Sequence, residues 1–257
     1  FTDVAELDIT QHEAVKTALH SLHPNYLINC AAYTAVDKAE SEKEIAWKIN
    51  ANAPEILAHC ARETDTCLIH ISTDYVFDGK NYRPYLPSHP THPISWYGMS
   101  KAGGEIAILK SNVKAFIIRT AWLYSRFGNN FVKTIRRLAS QKQDLNVVYD
   151  QIGSPTLAAD LAELILHIIL HQIIPTGCEI LHYTNEGVCS WYDFAISIVE
   201  HSNLNCIIHP ISTEQYPQPA QRPFYSVLDK SLTTQRFNIE IPHWNKSLRK
   251  CITSLDE

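Results

Sequence analysis

CLIHISTDYVFDG (residues 67–79) and, after a Pro-rich connection, WYGMSKAGGE (residues 96–105) decide how this chain is read. Cys67 to Ile71 forms an apolar run suited to a buried strand, and it ends in the hydroxyls of Ser72 and Thr73. A parallel strand releases its chain at that end toward a crevice, where ligands bind. The second segment opens a helix, and Tyr97 and Lys101 are four residues apart, so their side chains share one face. A hydroxyl, a phenol and an ammonium therefore converge on one substrate carbonyl. A phenol of pKa about 10 is a weak acid or base near neutrality unless a neighbouring cation favours its anion. Lys101 supplies that cation and can hold ribose hydroxyls. Tyr97 then hands a proton to an oxygen as hydride reaches the carbon, and Thr73 donates a hydrogen bond to the same oxygen. A lone Y-x-x-x-K carries little weight. Its place here, after a strand ending in Ser72-Thr73-Asp74 and at the start of a helix, makes Thr73, Tyr97 and Lys101 the candidate catalytic residues.

Working outward, Glu6 to Ile9 reads as a strand end, and Thr10 as the cap of a helix over about residues 11–22 with Val15, Leu19 and Leu22 inward. Tyr26 to Ala31 is a second buried strand. Ser41 and Glu44 are spaced as a capping box for a helix to about Arg62, with Ile45, Ile49, Ile56, Leu57 and Cys60 inward and a break near Pro54. A strand over residues 115–119 follows the Tyr97 helix. This alternation predicts an α/β fold, a Rossmann-type doubly wound parallel sheet, with a smaller mixed C-terminal substrate region. Helices are expected over residues 130–140, 158–170 and, capped by Ser190, to about His201; a short strand is expected over residues 145–148. The last fifty or so residues read as Pro-rich turns. We expect residues 1–150 to form the dinucleotide-binding domain and residues 151–257 mainly the substrate-binding region, with interleaved boundaries.

Composition narrows the function classes. The 257 residues are 45% apolar and 19% charged, with a formal net charge of −5, which offers no basic excess for nucleic acid. No apolar run approaches a membrane span. Seven cysteines without a C-x-x-C pattern read as reduced thiols in a cytoplasmic protein. His167 and His171 have i,i+4 spacing without the Glu of H-E-x-x-H, and no metal site is assigned.

The chain resembles the extended short-chain dehydrogenase/reductases and, among them, the dTDP-4-dehydrorhamnose reductase family. The resemblance runs through NCAAYTAVDKAESE (29–42), HISTDYVFDG (70–79), WYGMSKAGGE (96–105), RTAWLY (119–124), GNNF (128–131), DQIGSPT (150–156) and QRPFYSVLD (221–229). It implies reduction of a dTDP-linked 4-keto sugar by NADPH or NADH, for cell-surface polysaccharide synthesis. By the same resemblance, Asp8 and Ile9 lie near the adenine, and Ala32, Tyr33 and Thr34 line the dinucleotide. Tyr97 and Lys101 reach the nicotinamide ribose, while Thr73, Asp74 and Trp122 meet the substrate. Asn50 falls where relatives carry a helix asparagine, and Arg222 is suited either to a diphosphate or to fold stabilisation. Some relatives are Mg²⁺-dependent dimers, which makes Mg²⁺ and a homodimer further expectations, with no ligands assignable.

One departure stands out. The family opens on a strand and a G-x-x-G-x-x-G turn that binds the pyrophosphate, and none of the eight glycines here forms that motif. With Phe1 in place of Met, the chain reads as a fragment lacking the first βα unit, expected to bind dinucleotide weakly and to leave one side of a central strand unpaired. The rival reading is a non-catalytic NADP-binding relative such as the regulatory β subunit of methionine adenosyltransferase. Trp122 within RTAWLY and the DQIGSPT segment favour the reductase.

Overall fold

The structure, a computed structural model, describes residues 2–256. Helix α1 (His12–Leu22) leads into strand β1 (Tyr26–Asn29); α2 (Val36–Ala39), α3 (Lys43–Trp47) and α4 (Ala53–Glu63) follow. Then come β2 (Cys67–Thr73), α5 (Trp96–Lys110) and β3 (Ala115–Thr120). Beyond the short β4 (Leu123–Tyr124) lie α6 (Phe131–Ala139), β5 (Asp144–Val148), β6 (Ile152–Gly153), β7 (Thr156–Leu157) and α7 (Ala158–Leu170). The remainder comprises β8 (Cys178–His182), β9 (Cys189–Ser190), α8 (Trp191–His201), β10 (Ile207–Ile211), α9 (Ser231–Phe237) and α10 (Trp244–Asp256).

The main sheet has the order β1-β2-β3-β8, all parallel. Its strands are apolar on both faces because helices cover both. On one face Cys67, Ile69, Phe116 and Ile118 pack against Leu161, Leu164, Ile165 and Ile168 of α7. On the other, Leu68, Ala115 and Ile117 pack against Val15 and Leu19 of α1, Leu57 of α4 and Ile108 of α5. Among the described residues β1 pairs only with β2, and its Ile28 is 42% exposed, as expected of a sheet edge. A second core lies beyond the sheet's carboxyl edge, where Val132 and Ile135 of α6, Phe194 and Ile198 of α8, and Leu248 and Ile252 of α10 meet the parallel pair β5–β10. The two halves are interleaved: β8 completes the main sheet, whereas β5 belongs to the smaller one.

Several local expectations are corrected. Residues 4–6 form a turn and residues 7–8 are irregular, so no strand ends there. Thr10 does not cap α1; its hydroxyl donates to Asp8 Oδ1 at 2.7 Å, and Leu22 is 71% exposed. The Ser41–Glu44 capping box is absent, because Ser41 Oγ turns back to donate to Lys38 O and close α2. The break expected near Pro54 is present, as a π-helical turn, Lys48–Asn52, just before that residue. The wider turn shifts the apolar stripe, which leaves Ile45 half exposed while Leu57 and Cys60 stay buried. The Pro-rich tail holds α9 and α10, the latter burying Trp244, Leu248, Cys251 and Ile252 at helical spacing. By contrast α7 and α8 run as expected, and Ser190 caps α8 in a capping box with Asp193.

Candidate active site

The carboxyl ends of β1, β2 and β3 bring the predicted residues together. Thr73 is register-paired with Thr120, and Trp122 follows two residues further on. Thr73 Oγ1 donates to Asp74 Oδ1 at 3.0 Å and accepts from the Tyr75 backbone at 3.2 Å, which fixes the hydroxyl at the strand's end. The same hydroxyl acts on Tyr97, pulling its phenol pKa down, while the larger effect of burial pushes it up to about 12. Tyr97 is thus held protonated at neutral pH, as a proton donor.

Glycine makes this approach possible. A Cβ on Gly98 would lie 2.2 Å from Tyr75 O, so only a glycine lets the first turn of α5 rest on the turn after Thr73. Six residues later, a Cβ on Gly104 would lie 2.2 Å from Asn50 O. These two contacts set α5 against β2 and against the π-helical turn; the sequence signal was small residues inside a helix otherwise filled with large ones. Ser95 caps the helix by accepting from Gly98 N.

Lys101 is only 2% exposed. Its Nζ donates to Ile71 O at 2.7 Å and lies 3.3 Å from His70 Nε2. Burial lowers its pKa to about 8, with Glu105 and Cys30 acting the other way. Its ammonium thus rests against β2, between a backbone carbonyl and an imidazole. Asp74 is buried, and burial pushes its carboxyl up to about 6, against hydrogen bonds from the Ser226 and Thr73 side chains that pull it down. Thr120 Oγ1 is buried without a hydrogen-bond partner.

Other predicted residues are placed with distinct roles. Asn50 is buried, accepts from Tyr33 N at 2.8 Å, and donates to Tyr33 O and Ser100 Oγ, each at 3.0 Å. It therefore clamps the Ala32–Tyr33–Thr34 loop to α5. Tyr33 OH donates to Glu42 Oε2 at 2.5 Å. Asp8 and Ile9 are engaged elsewhere: Asp8 binds the Thr10 amide and hydroxyl, while Ile9 packs on the Val15–Leu19 layer. Trp122 adopts a left-handed backbone (φ +49°) and stacks on Trp191, with ring centroids 3.5 Å apart and planes within 9°. Arg222 forms a two-pronged pair with Asp37, at 3.0 and 2.8 Å. Among the described residues no group of three or more His, Cys, Asp or Glu side chains is placed to hold a metal ion, and Mg²⁺ finds no support.

A residue network outside the sequence prediction backs the site. Glu105 accepts from Arg119 through Nε at 3.0 Å and Nη2 at 2.7 Å, and from Ser72 Oγ at 2.5 Å. Arg119 Nη1 reaches Pro87 O at 3.3 Å, tying the Pro-rich loop to the sheet. Tyr225 N donates to Gly79 O and Tyr85 N to Val227 O, so the QRPFYSVLD and STDYVFDG segments touch.

An acid, a hydroxyl and a buried cation gathered at the carboxyl edge of a doubly wound parallel sheet place the chain in the Tyr–Lys oxidoreductase class, the short-chain dehydrogenase/reductases. Comparison with known proteins narrows this. The model of the RmlD substrate binding domain matches residues 1–257. A dTDP-4-dehydrorhamnose reductase of Aggregatibacter actinomycetemcomitans is 40% identical over 257 residues, spanning 96% of this chain and 87% of that protein. A Clostridium acetobutylicum dTDP-4-dehydrorhamnose reductase structure superposes with a TM-score of 0.94 at 42% identity, covering 100% of this chain and 90% of that one. A Bacillus anthracis dTDP-4-dehydrorhamnose reductase, solved in complex with NADP, gives 0.93 at 38% identity and covers 98% and 89%. The chain belongs to the RmlD family of dTDP-4-dehydrorhamnose reductases. The regulatory-subunit reading draws no support from these relatives.

Proposed function

We propose that this chain carries the catalytic centre that reduces the 4-keto group of dTDP-4-dehydro-L-rhamnose to give dTDP-L-rhamnose, using NADPH or NADH. The observation that carries this reading is the convergence of Thr73, the protonated Tyr97 and buried Lys101 at one sheet edge. The dinucleotide supplies a hydride to C4 of the sugar. Thr73 and Tyr97 bind the 4-keto oxygen, which polarises the carbonyl. As the C4–H bond forms, the carbonyl π pair moves to oxygen and takes the Tyr97 proton, leaving a hydroxyl and a phenolate that solvent reprotonates. The high phenol pKa suits this direction, because reduction consumes a proton.

Lys101 and Tyr97 fit the nicotinamide ribose, and the clamped Ala32–Tyr33–Thr34 loop fits the rest of that half of the cofactor. Asp8 and Ile9 are assigned to the adenine end by resemblance. No glycine-rich pyrophosphate turn occurs in these 257 residues. Asp74 and Trp122 are assigned to the sugar nucleotide; the stack on Trp191 holds the Trp122 ring in place. Residues 1–150 would then serve mainly the cofactor and residues 151–257 mainly the substrate. A homodimer and a cytoplasmic location complete the reading; seven free cysteines support a reducing compartment, and no described helix is long and apolar enough to cross a membrane.

The test is NADPH oxidation in the presence of dTDP-4-dehydro-L-rhamnose, with dTDP-L-rhamnose identified by mass spectrometry. Turnover by the purified chain, strongly reduced in Tyr97→Phe, supports the reading. With a family-like glycine-rich βα unit joined to its N-terminus, a folded protein without turnover, or full turnover in its Tyr97→Phe variant, overturns it.

A further inference from the structure

His70 has no role in the chemistry above, yet it is fully buried in β2 between Ile69 and Ile71. An imidazole at such a place needs partners for both ring nitrogens. β1 and β2 pair in register Asn29↔His70, and both side chains lie beneath α5. Asn29 Oδ1 accepts from the Ala31 backbone at 3.1 Å, which orients the amide so that Nδ2 faces His70 Nδ1 at 3.0 Å. On the other side, His70 Nε2 lies 3.3 Å from Lys101 Nζ.

The protons along this row can be placed. The Asn29 amide donates to Nδ1, so a neutral ring must carry its one proton on Nε2. That proton points at Lys101. An ammonium has no lone pair to receive it, whereas an amine does. The nearest carboxylate on α5, Glu105, is bound by Arg119 and Ser72, and Cys30 is the other titratable group that acts on Lys101. We propose that His70, oriented by Asn29, is a positioning residue for Lys101: its Nε2–H faces Nζ and disfavours the ammonium relative to the amine. This rests on the reading of Lys101 as part of the active site, but the row itself is testable without cofactor or substrate. Burial of Lys101 acts in the same direction.

The first measurement is the His70 tautomer, read from ring nitrogen shifts in uniformly ¹⁵N-labelled protein. The Nε2–H form is expected; an Nδ1–H form overturns the proposal with no variant needed. The second is the Lys101 pKa, followed through its ¹³Cε resonance and assigned by its loss in Lys101→Met. In His70→Gln an amide oxygen can occupy the place of Nε2 and accept from an ammonium, so the Lys101 pKa should rise by about one unit or more. An unchanged titration in folded His70→Gln overturns the assignment. Asn29→Asp offers a second route, since a carboxylate would accept from Nδ1–H, switch the tautomer and free Nε2 to accept from Lys101. A merely structural histidine would leave the lysine titration unchanged in His70→Gln. If both move while the protein with the added βα unit shows no turnover with the dTDP-sugar, the reductase reading fails and the His70 assignment stands.

Discussion

Lys101 and Glu105 lie one helical turn apart on α5, and each is 2% exposed. Their surroundings differ sharply. Glu105 is held through both oxygens by Arg119 and again by Ser72. Lys101 meets a carbonyl and an imidazole but no carboxylate within ion-pair distance, and burial takes its pKa down to about 8. Asp74, at the end of β2, resembles Lys101 in this respect: its side-chain partners are the hydroxyls of Ser226 and Thr73 and not a cation, and burial pushes it up to about 6. A buried charge with a matched partner fixes the fold. A buried charge without one stays close to titration, which is what proton transfer requires. Within one strand–helix unit, the Glu105 end is scaffold and the Tyr97–Lys101 end carries the proposed chemistry.

The comparison breaks first at Tyr97. Tyr97→Phe removes the acid but keeps the ring, whose edge-on contact with Tyr75 has centroids 5.5 Å apart. Turnover should fall about 10²–10⁴-fold, with the denaturation midpoint unchanged. A stability loss that matched the activity loss would place Tyr97 with the scaffold. The converse experiment is Glu105→Ala, which strands the Arg119 guanidinium in the sheet. Removing one partner of a buried pair costs about 3–5 kcal/mol, so urea denaturation should show a large drop in midpoint. A variant that unfolds at the parent's midpoint would show that the pair is not the brace assigned here.

Asp74 sharpens the contrast through pH. Its folded value of about 6 lies above the ordinary 3.8, so between those values the folded protein holds a proton that the unfolded chain has released. The resulting stabilisation is complete below the unfolded value and is lost as pH rises through about 6. Its size is about 3 kcal/mol for this shift. Denaturation of the parent and of Asp74→Asn, compared from pH 4 to pH 7, should show this fall only in the parent. Parallel curves would mean that Asp74 is solvated or paired.

What the sequence disclosed follows the same division. Thr73, Tyr97 and Lys101 were legible because strand end, helix start and i,i+4 spacing are local properties. So were α7 and α8, each marked by its own periodicity and, for α8, by Ser190. Pairings between distant residues were not legible: Glu105 with Arg119 spans 14 positions, Asn50 with Tyr33 17, and Asn29 with His70 41. Asn29 and His70 are unremarkable polar residues until the parallel register sets them side by side. The Ser41–Glu44 motif failed for the opposite reason, since a local pattern was overridden when Ser41 was drawn into the preceding turn. Helix α10 carried a readable stripe, Trp244, Leu248, Cys251 and Ile252, which the prolines before it obscured.

The smallest effect tests how redundant the brace is. Ser72 Oγ donates to Glu105 Oε1 at 2.5 Å, but that oxygen also accepts from Arg119 Nε at 3.0 Å. Ser72→Ala therefore removes one hydrogen bond to a charged group without leaving the carboxylate oxygen bare. Hydrogen bonds to charged groups contribute about 1.5–3 kcal/mol, and the surviving Arg119 contact places this one near the lower bound. The loss should appear in the denaturation midpoint, with turnover per folded molecule preserved, because Thr73 is held by Asp74 and Tyr75 and not by its neighbour. If turnover fell as well, the brace at Glu105 would reach through β2 into the placement of Thr73. The two ends of this strand–helix unit would then be coupled rather than merely adjacent.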